Sequence, residues 1–379
     1  MAARVLFHVQ HLLGIGHLQR SLRIAEALVD AGVAVTLVRG GPPLAEITAA
    51  RGIDIVELPP IRSRDATFAL IDEAGAPLGD ALRAARREKL LAASAATQPD
   101  AVVIEGFPFA RRAFRFELDP LIAAARAAGS RIVCSVRDIP TVRADPDRLA
   151  AIVARVRADF DAVLVHGDAG FIPFEVAFPA APEIADRLHY TGYVVSPALS
   201  PAADDAPTGE VLISVGGGGE AGRALLHAAI EARRRGCLAD RGWRIFAGTG
   251  PSDAELQAIR DTVPAGVVIE RFRRDFPSLL RSCHVSVSQA GYNTVLDVLA
   301  ARARAVLVPF AAERETEQMI RAEHLAARGA AVLLRENELS AASLAAAIER
   351  AASFEPMPIA LDTNGARRSA SLIAGLLTK

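Results

Sequence analysis

Short apolar runs alternate with longer segments rich in Ala, Leu and Arg along the whole chain. The short runs have the composition of strands, and the longer segments repeat their apolar residues with a helical period. This alternation is typical of α/β folds, in which helices cover both faces of a doubly wound parallel sheet. The strands predicted in the first half are residues 5–9, 34–38, 53–58, 101–104, 132–136 and 162–165. Those predicted in the second half are residues 211–215, 244–247, 267–270, 285–288, 305–308 and 331–334.

The chain divides near its middle. Residues 196–208 are rich in Pro, Ala and Asp and lack a hydrophobic period, as exposed linkers do. The 379 residues are enough for two domains, which we place at 1–195 and 209–379, with the last helix allowed to pack back on the first domain. Each half opens with a strand, a glycine loop and a helix. Two such Rossmann-like domains facing each other form a cleft at the carboxyl ends of their strands, where we expect the active site.

Composition excludes several classes of protein. The chain is 51% hydrophobic, but no apolar run approaches the length of a membrane span. The first apolar strand begins directly after Arg4, which argues against a signal peptide and predicts a cytoplasmic protein. The three cysteines lie far apart and suit neither a disulfide framework nor a zinc site. A net charge of -1 gives no overall field for a polyanion, so no nucleic-acid partner is expected.

Two local cationic clusters stand out. The first is predicted to be a solvated helical face and consists of Arg83, Arg86, Arg87 and Lys89. The second interleaves aromatic rings with arginines and consists of Phe107, Phe109, Arg111, Arg112, Phe114, Arg115 and Phe116. That mixture fits contact with an acceptor or a lipid headgroup, and it fits equally a loop folded over its own domain. Peripheral membrane contact therefore stays open.

The glycine loop of the first half carries Gly14, Gly16 and His17. The glycines permit a tight turn and a close approach by a ligand, and His17 stands at the start of the following helix. The positive end of a helix favours the neutral imidazole, which suits His17 to take a proton from a hydroxyl group. The alternative is that His17 only caps its helix. A NAD site is disfavoured, because Gln19 replaces the third glycine of the dinucleotide fingerprint.

Three loops of the second half have the character of an anion site. Gly216, Gly217, Gly218 and Gly219 join a buried strand to a helix and expose backbone amides suited to a diphosphate. A second strand-to-helix junction carries Gly291, Tyr292, Asn293 and Thr294, with Asp297 one turn into the helix. Asp297 fits either a ribose or a residue that complements the helix dipole. The third loop, residues 310–318, ends in Glu317 and Gln318 beside the expected cleft.

No metal site is predicted. Asp145 and Asp147 form an Asp-x-Asp pattern of the kind that holds a metal diphosphate in some glycosyltransferases, but here Asp147 is better explained as the start of a helix. We expect no cofactor apart from the nucleotide substrate.

Taken in order, these four loops resemble the GT-B glycosyltransferases of family 28, typified by the transferase that adds N-acetylglucosamine to lipid I of peptidoglycan. The resemblance spans nearly the whole chain and is strongest over residues 288–318. The residues that match the UDP-sugar motif of the family are Gly291, Thr294, Asp297, Val308, Pro309, Phe310, Glu317 and Gln318. The family more often has Glu at the position of Asp297 and Gln or Asp at the position of Glu317.

The resemblance implies a role for each loop. Asp297 holds the ribose, Glu317 and Gln318 contact the donor sugar, and Gly216 to Gly219 bind the diphosphate. Phe272 and Arg273 match the segment that flanks the uracil. The loop of Gly14, Gly16 and His17 matches the glycine loop whose histidine is the proposed general base.

The function implied is metal-independent, inverting transfer of a sugar from a nucleotide sugar, UDP-linked in the family, to the hydroxyl group of a small or lipid-linked acceptor. Three alternatives stay open. One is hydrolysis of the nucleotide sugar, because the first glycine loop also resembles that of a UDP-sugar hydrolase of pseudaminic acid synthesis. The others are a GT-B epimerase and a sugar-nucleotide binding module without turnover. The sequence names neither the donor sugar nor the acceptor.

Overall fold

The structure is a computed structural model that describes residues 2–12, 16–42, 52–63, 69–140, 145–195, 208–216, 220–248, 251–273, 275–310 and 316–377. The chain forms two compact units. Unit 1 contains residues 1–194 and 361–379, and unit 2 contains residues 195–360. The last helix is therefore part of unit 1, and the polypeptide runs from unit 1 into unit 2 and back again.

Unit 1 is built on a seven-stranded parallel sheet with the strand order β3-β2-β1-β6-β7-β8-β9. A small antiparallel pair, β4 and β5, lies outside this sheet. The strands are β1 (Arg4–Gln10), β2 (Ala34–Gly40), β3 (Ile53–Glu57), β4 (Arg62–Ser63), β5 (Leu70–Ile71), β6 (Ala101–Glu105), β7 (Arg131–Arg137), β8 (Ala162–His166) and β9 (Leu188–Tyr190). The helices are α1 (Gly16–Asp30), α2 (Asp80–Thr97), α3 (Arg115–Ala127), α4 (Pro146–Asp159) and, at the end of the chain, α11 (Gly365–Leu377).

Unit 2 repeats this architecture with a six-stranded parallel sheet of order β12-β11-β10-β13-β14-β15. Its strands are β10 (Val211–Ser214), β11 (Trp243–Phe246), β12 (Val267–Glu270), β13 (Val285–Ser288), β14 (Ala305–Leu307) and β15 (Val332–Leu333). Its helices are α5 (Glu220–Arg234), α6 (Asp253–Arg260), α7 (Phe276–Ser282), α8 (Tyr292–Ala301), α9 (Glu317–Ala327) and α10 (Ala341–Ser353). The order of the first four strands in each sheet is that of a Rossmann fold, 3-2-1-4.

Helices on both faces explain why the strands are apolar along their whole length rather than on alternate residues. All five residues of β6 are buried, as are six of the seven residues of β1. The twelve predicted strands are all present, with ends that shift by one or two residues. The short strand β9 and the β4–β5 pair were not predicted, because two or three residues carry no measurable period.

Arg86 corrects one prediction. The cluster of Arg83, Arg86, Arg87 and Lys89 was expected to form a solvated face of α2. Instead, Arg86 is fully buried and pairs with Glu117 of α3. Its guanidinium donates two parallel hydrogen bonds of 2.7 Å to the carboxylate of Glu117, one of 2.8 Å to Gln10 Oε1 and one of 2.6 Å to the carbonyl of Pro59. Each polar group of the pair is thereby satisfied, which is the condition for burying an ion pair at low cost.

We expect Arg86→Ala to lower the free energy of unfolding by about 3–5 kcal/mol, because it leaves the buried carboxylate of Glu117 without its cation. Arg87→Ala, one residue further along the same helix but exposed, should change it by less than about 0.5 kcal/mol. Urea unfolding followed by circular dichroism measures both. Equal stability of the two variants would show that the buried pair contributes nothing.

Candidate functional site

The order of strands reverses in unit 1 between β1 and β6, which pair in parallel from Val5 with Ala101 to His8 with Ile104. In open α/β sheets, ligands bind at such a reversal, beyond the carboxyl ends of the strands. The loop after β1 leads into α1, whose first turn carries His17, and β6 ends at Glu105. The fold therefore places an imidazole and a carboxylate at the position where this class of sheet binds ligands.

A direct hydrogen bond joins His17 and Glu105. The distance from Nδ1 of His17 to Oε1 of Glu105 is 2.7 Å. A carboxylate accepts and does not donate, so Nδ1 carries the proton and Nε2 keeps the lone pair. Arg20 Nη2 also lies 3.3 Å from Nδ1, but its shorter contact, 2.7 Å, is to the same carboxylate oxygen. The ring of His17 is 26% exposed, whereas Glu105 is buried. This geometry prepares Nε2 to accept a proton.

Glu105 was not predicted from the sequence. It closes the apolar strand AVVIE just before Gly106, which has a φ of +80°, a conformation that favours glycine. Burial alone would raise the pKa of this carboxyl, but His17, Arg111 and Arg20 together hold it well below its usual range. The sequence did contain a signal for Glu105, because an acidic residue that ends an otherwise apolar strand next to a glycine is a candidate site residue.

The pKa of His17 is lowered from its ordinary 6.5 to about 4, chiefly because burial disfavours the charged ring. The charges of Arg111 and Arg137 act in the same direction, and Glu105 opposes them. The sequence predicted a neutral His17, but from the helix end rather than from burial and neighbouring arginines. His11, on the strand side of the same loop, is also buried, and its Nε2 lies 2.9 Å from the carbonyl oxygen of Pro42.

The order of strands in unit 2 reverses between β10 and β13, and two helices begin just beyond them. Gly216, with a φ of +73°, lies against the side chain of Gln289, and a Cβ atom there would collide with its amide oxygen. Gly14 in unit 1 and Gly217, Gly218 and Gly219 here lie outside the described residues. Helix α8 follows Gly291, which has no side chain to cap the first turn. The first N–H groups of a helix have no acceptor within the helix itself, so the start of α8 suits an anion.

Gln318 joins two of the predicted loops. Its Oε1 accepts hydrogen bonds of 3.1 Å from the backbone N–H of Ala290, after β13, and of 3.1 Å from that of Phe310, after β14. The neighbouring Glu317 is buried and bonded to Arg321 at 2.8 Å, and Arg321 also donates to the carbonyl of Ala290. The carboxylate of Glu317 thus forms an ion pair inside the unit, and its expected contact with the donor sugar stays a prediction.

The remaining predicted donor residues differ in exposure. Asn293, Thr294 and Asp297 are half-buried on α8, whereas the ring of Tyr292 is buried beneath the guanidinium of Arg321. Phe272, beyond the end of β12, is 67% exposed, which is rare for so large an apolar side chain and suits a surface for stacking. Arg273 is engaged with Asp275 through two hydrogen bonds of 2.8 and 2.5 Å.

Asp145 and Asp147 lie at the start of α4. Asp145 is the N-cap, and its side chain accepts a hydrogen bond of 3.1 Å from the backbone N–H of Asp147. The cap therefore lies two residues before Asp147, which was predicted to start the helix. Within the ranges that the structure describes, no three His, Cys, Asp or Glu side chains are grouped so as to hold a metal ion.

Residues 212–375 match the profile of the glycosyltransferase family 28 C-terminal domain. Over these residues the chain is similar to family 28. The match covers unit 2 from β10 and continues into α11, and it confirms the resemblance predicted from the second-half loops.

Curated relatives agree with the family 28 assignment. A UDP-N-acetylglucosamine--N-acetylmuramyl-(pentapeptide) pyrophosphoryl-undecaprenol N-acetylglucosamine transferase of Phenylobacterium zucineum is 31% identical over 188 residues, 46% of this chain and 51% of that protein. The protein of the same name from Pseudomonas putida is 31% identical over 175 residues, 45% of this chain and 48% of that protein. The chain thus matches about half the length of these relatives.

Solved structures show a likeness of fold over the whole length of the chain. The calicheamicin glycosyltransferase CalG4 superposes with a TM-score of 0.62 at 20% identity, covering 99% of this chain and 95% of that one. MurG of Acinetobacter baumannii gives a TM-score of 0.58 at 19% identity, covering 98% and 99%. These likenesses confirm the predicted GT-B fold of two Rossmann-like domains. No helix among the described residues has both the length and the apolar character needed to cross a bilayer.

We expect the imidazole of His17 to be neutral at pH 6, with its proton on Nδ1, and to gain a second proton only as the pH falls towards about 4. Its folded pKa lies below the value near 6.5 of an unfolded chain, so protonation of the unfolded state lowers stability between these two pH values. Two-dimensional ¹⁵N–¹H NMR, with the peaks assigned through His17→Asn, measures both the tautomer and the midpoint. A midpoint near 6.5 would contradict the burial described above.

Proposed function

We propose that the chain is a glycosyltransferase that moves a sugar from a nucleotide sugar, UDP-linked by its resemblance to the relatives, to an acceptor hydroxyl group. The observation that carries this proposal is the His17–Glu105 pair in a GT-B chain with a family 28 domain. A neutral, partly exposed imidazole oriented by a buried carboxylate is an arrangement that suits general-base catalysis. Its placement at the carboxyl end of the sheet matches where such folds bind their substrates.

The proposed transfer is inverting and proceeds in one step. Nε2 of His17 takes the proton of the acceptor hydroxyl as its oxygen forms a bond to the anomeric carbon, and the bond from that carbon to the diphosphate breaks with its electron pair. His17 becomes an imidazolium as the new bond forms, and Glu105 stabilises this cation through the Nδ1–H bond. The ring releases the proton to solvent after the reaction and is again a neutral base.

We propose that unit 2 binds the nucleotide diphosphate without a metal ion. The beginnings of α5 and α8, after neighbouring strands of the sheet, supply backbone N–H groups for the phosphate oxygens. Gln318 supports this role because it ties the loops after β13 and β14 together and so orders the start of α8. Phe272 offers its exposed ring to the base, and Asp297 its carboxylate to the ribose.

A cytoplasmic location fits this proposal. Nucleotide sugars are synthesised there, and Cys134, Cys237 and Cys283 are all free thiols, as a reducing compartment requires.

Replacing His17 by Asn should lower kcat by about 10²- to 10⁴-fold while UDP affinity is unchanged, because the base acts only in the transition state. Glu105→Gln should lower kcat by ~10² or more, since it disturbs the tautomer and leaves the arginines unbalanced. The assay follows UDP release from a panel of UDP-sugars with and without acceptors.

His11→Asn is the matched control, because this buried histidine is tied to Pro42 and should affect stability rather than kcat. If His11→Asn abolished transfer while His17→Asn kept it, the base would be misassigned. Release of free sugar at the same rate without any acceptor would favour the hydrolase instead.

UDP should bind equally well in EDTA and in magnesium, because the proposed site neutralises the diphosphate with N–H groups rather than a cation. Asp297→Ala should weaken binding by about 1–3 kcal/mol through the loss of hydrogen bonds to the ribose. Asp261→Ala, which removes an exposed acid at the end of α6, is the control. Isothermal titration calorimetry measures the UDP affinity in each case. A requirement for magnesium, or equal affinity of the Asp297→Ala and Asp261→Ala variants, would refute this part of the proposal.

A further inference from the structure

One oxygen atom of Glu105 accepts two hydrogen bonds. Oε1 lies 2.7 Å from Nδ1 of His17 and 2.7 Å from Nη2 of Arg20, and these two nitrogen atoms are 3.3 Å apart. Oε2 accepts no hydrogen bond from the described residues, and Nε of Arg111 is 3.8 Å away from it, beyond hydrogen-bond length. The atom that orients His17 is therefore also the atom that Arg20 holds.

Arg20 is enclosed by its own unit. Its side chain is 3% exposed, whereas the ring of His17 is 26% exposed. It leaves α1 three residues after His17, so both side chains point to the end of β6. A guanidinium group stays protonated and donates through a rigid planar fork. Arg20 is thus a fixed cation and a fixed donor behind the His17–Glu105 pair.

Other titratable groups act electrostatically on His17, Glu105 or Arg20. Those described by the structure are Arg111, Arg137, His166 and Cys134. The two arginines remain cations. Burial holds the pKa of His166 well below its usual range and that of Cys134 well above, so both side chains stay neutral.

The elements packed against α1 add no further group that changes its charge near neutral pH. On β2 and β3, Arg39 and Glu57 form an ion pair with each other. On α11, the charged residues Arg367 and Arg368 lie at exposed positions. Among the described groups around His17, the protons that move are therefore those of His17 itself and of Glu105.

The number of protons on the His17–Glu105 pair decides whether Nε2 can act as a base. With one proton, on Nδ1, the carboxylate is ionised and Nε2 keeps its lone pair. A second proton gives either an imidazolium beside the carboxylate or a neutral acid beside the other tautomer, and in both forms Nε2 is protonated. A cation bonded to Oε1 opposes this second proton, because it favours the ionised carboxylate and repels an imidazolium.

We propose that Arg20 is a positioning residue, which holds Oε1 of Glu105 against Nδ1 of His17 and so keeps Nε2 free of a proton at neutral pH. The inference rests on the proposed function, in which Nε2 is the general base. The role needs the charge of Arg20 and its bond to Glu105, and it needs no contact with a substrate. It goes beyond that of a stabilising ion pair, because it fixes the pH at which the base is lost.

The pH midpoint of the His17 ring, followed by ¹⁵N NMR, tests this role without catalysis. Arg20→Met removes the cation and keeps a long apolar side chain. We expect the midpoint to rise from about 4 by at least about one pH unit, because an opposite charge at this distance shifts a carboxyl pKa by about one to three units. Arg23→Met is the matched control, since it removes a charge one turn further along α1 that acts on Glu26. It should move the midpoint by less than about 0.3.

The acid limb of kcat/KM should move with the midpoint. At pH 5, a rise of one unit lowers the fraction of deprotonated base about twofold, and a rise of two units lowers it about tenfold. The deficit of Arg20→Met relative to the wild type should therefore grow by these factors between pH 8 and pH 5. A purely structural lesion lowers kcat/KM by the same factor at every pH. The assay follows UDP release.

The outcomes separate the two proposals. A midpoint in Arg20→Met equal to that of the wild type, or an equal rise in Arg23→Met, refutes the role of Arg20 whatever the activity. If Arg20→Met does not fold, Arg20→Lys decides alone: it keeps the charge but lacks the planar fork, so we expect a smaller rise, and an unchanged midpoint refutes the role. If the midpoint rises as expected but no UDP-sugar is turned over with any acceptor, the role of Arg20 in the protonation of His17 stands and the proposed transfer fails.

Discussion

The ionised carboxylate of Glu105 is the group on which the site of unit 1 depends. An isolated buried carboxylate would take up a proton, and the neutral acid would no longer fix the tautomer of a histidine. His17, Arg111 and Arg20 together prevent this. Because Arg20 lies three residues after His17 on α1, both side chains face the same strand end. Strand β6 and helix α1 are thus joined at a single carboxylate oxygen, Oε1 of Glu105, and the orientation of His17 follows from that junction.

The two units share one sheet topology but differ in the chemical groups that lie at the reversal of strand order. At the reversal of strand order in unit 1, the proposed functional groups are side chains, namely an imidazole, a carboxylate and guanidinium groups. At the corresponding reversal in unit 2, they are backbone groups at helix starts, kept in place by the side chain of Gln318. The first arrangement suits proton transfer, which needs a titratable atom, and the second suits a polyanion, which needs many donors without a change of charge.

The sequence predicts the fold better than the site for a physical reason. Strands such as β6 and β10 are buried on both faces, so their apolar runs are visible without knowledge of their neighbours. His17 could be picked out because the glycines and the helix start that mark it are its neighbours in the sequence. Gln318 could be picked out because it matches a family motif. Glu105 lies 88 residues from His17, and only the pairing of β1 with β6 brings them together. The burial of Arg86 was missed for the same reason, because its partner Glu117 lies 31 residues away and meets it only in the folded chain.

Unit 2 is inserted between residues 194 and 361 of unit 1. Tyr193 pairs with the returning segment, donating its N–H to the carbonyl of Asp362 and accepting from the N–H of Gly365, and α11 then packs beside α1. During synthesis from the amino terminus, the whole of unit 2 therefore leaves the ribosome before unit 1 receives its last helix. The inserted unit has all of its sequence available to fold first, and the surface of α1 that α11 covers stays exposed until α11 emerges.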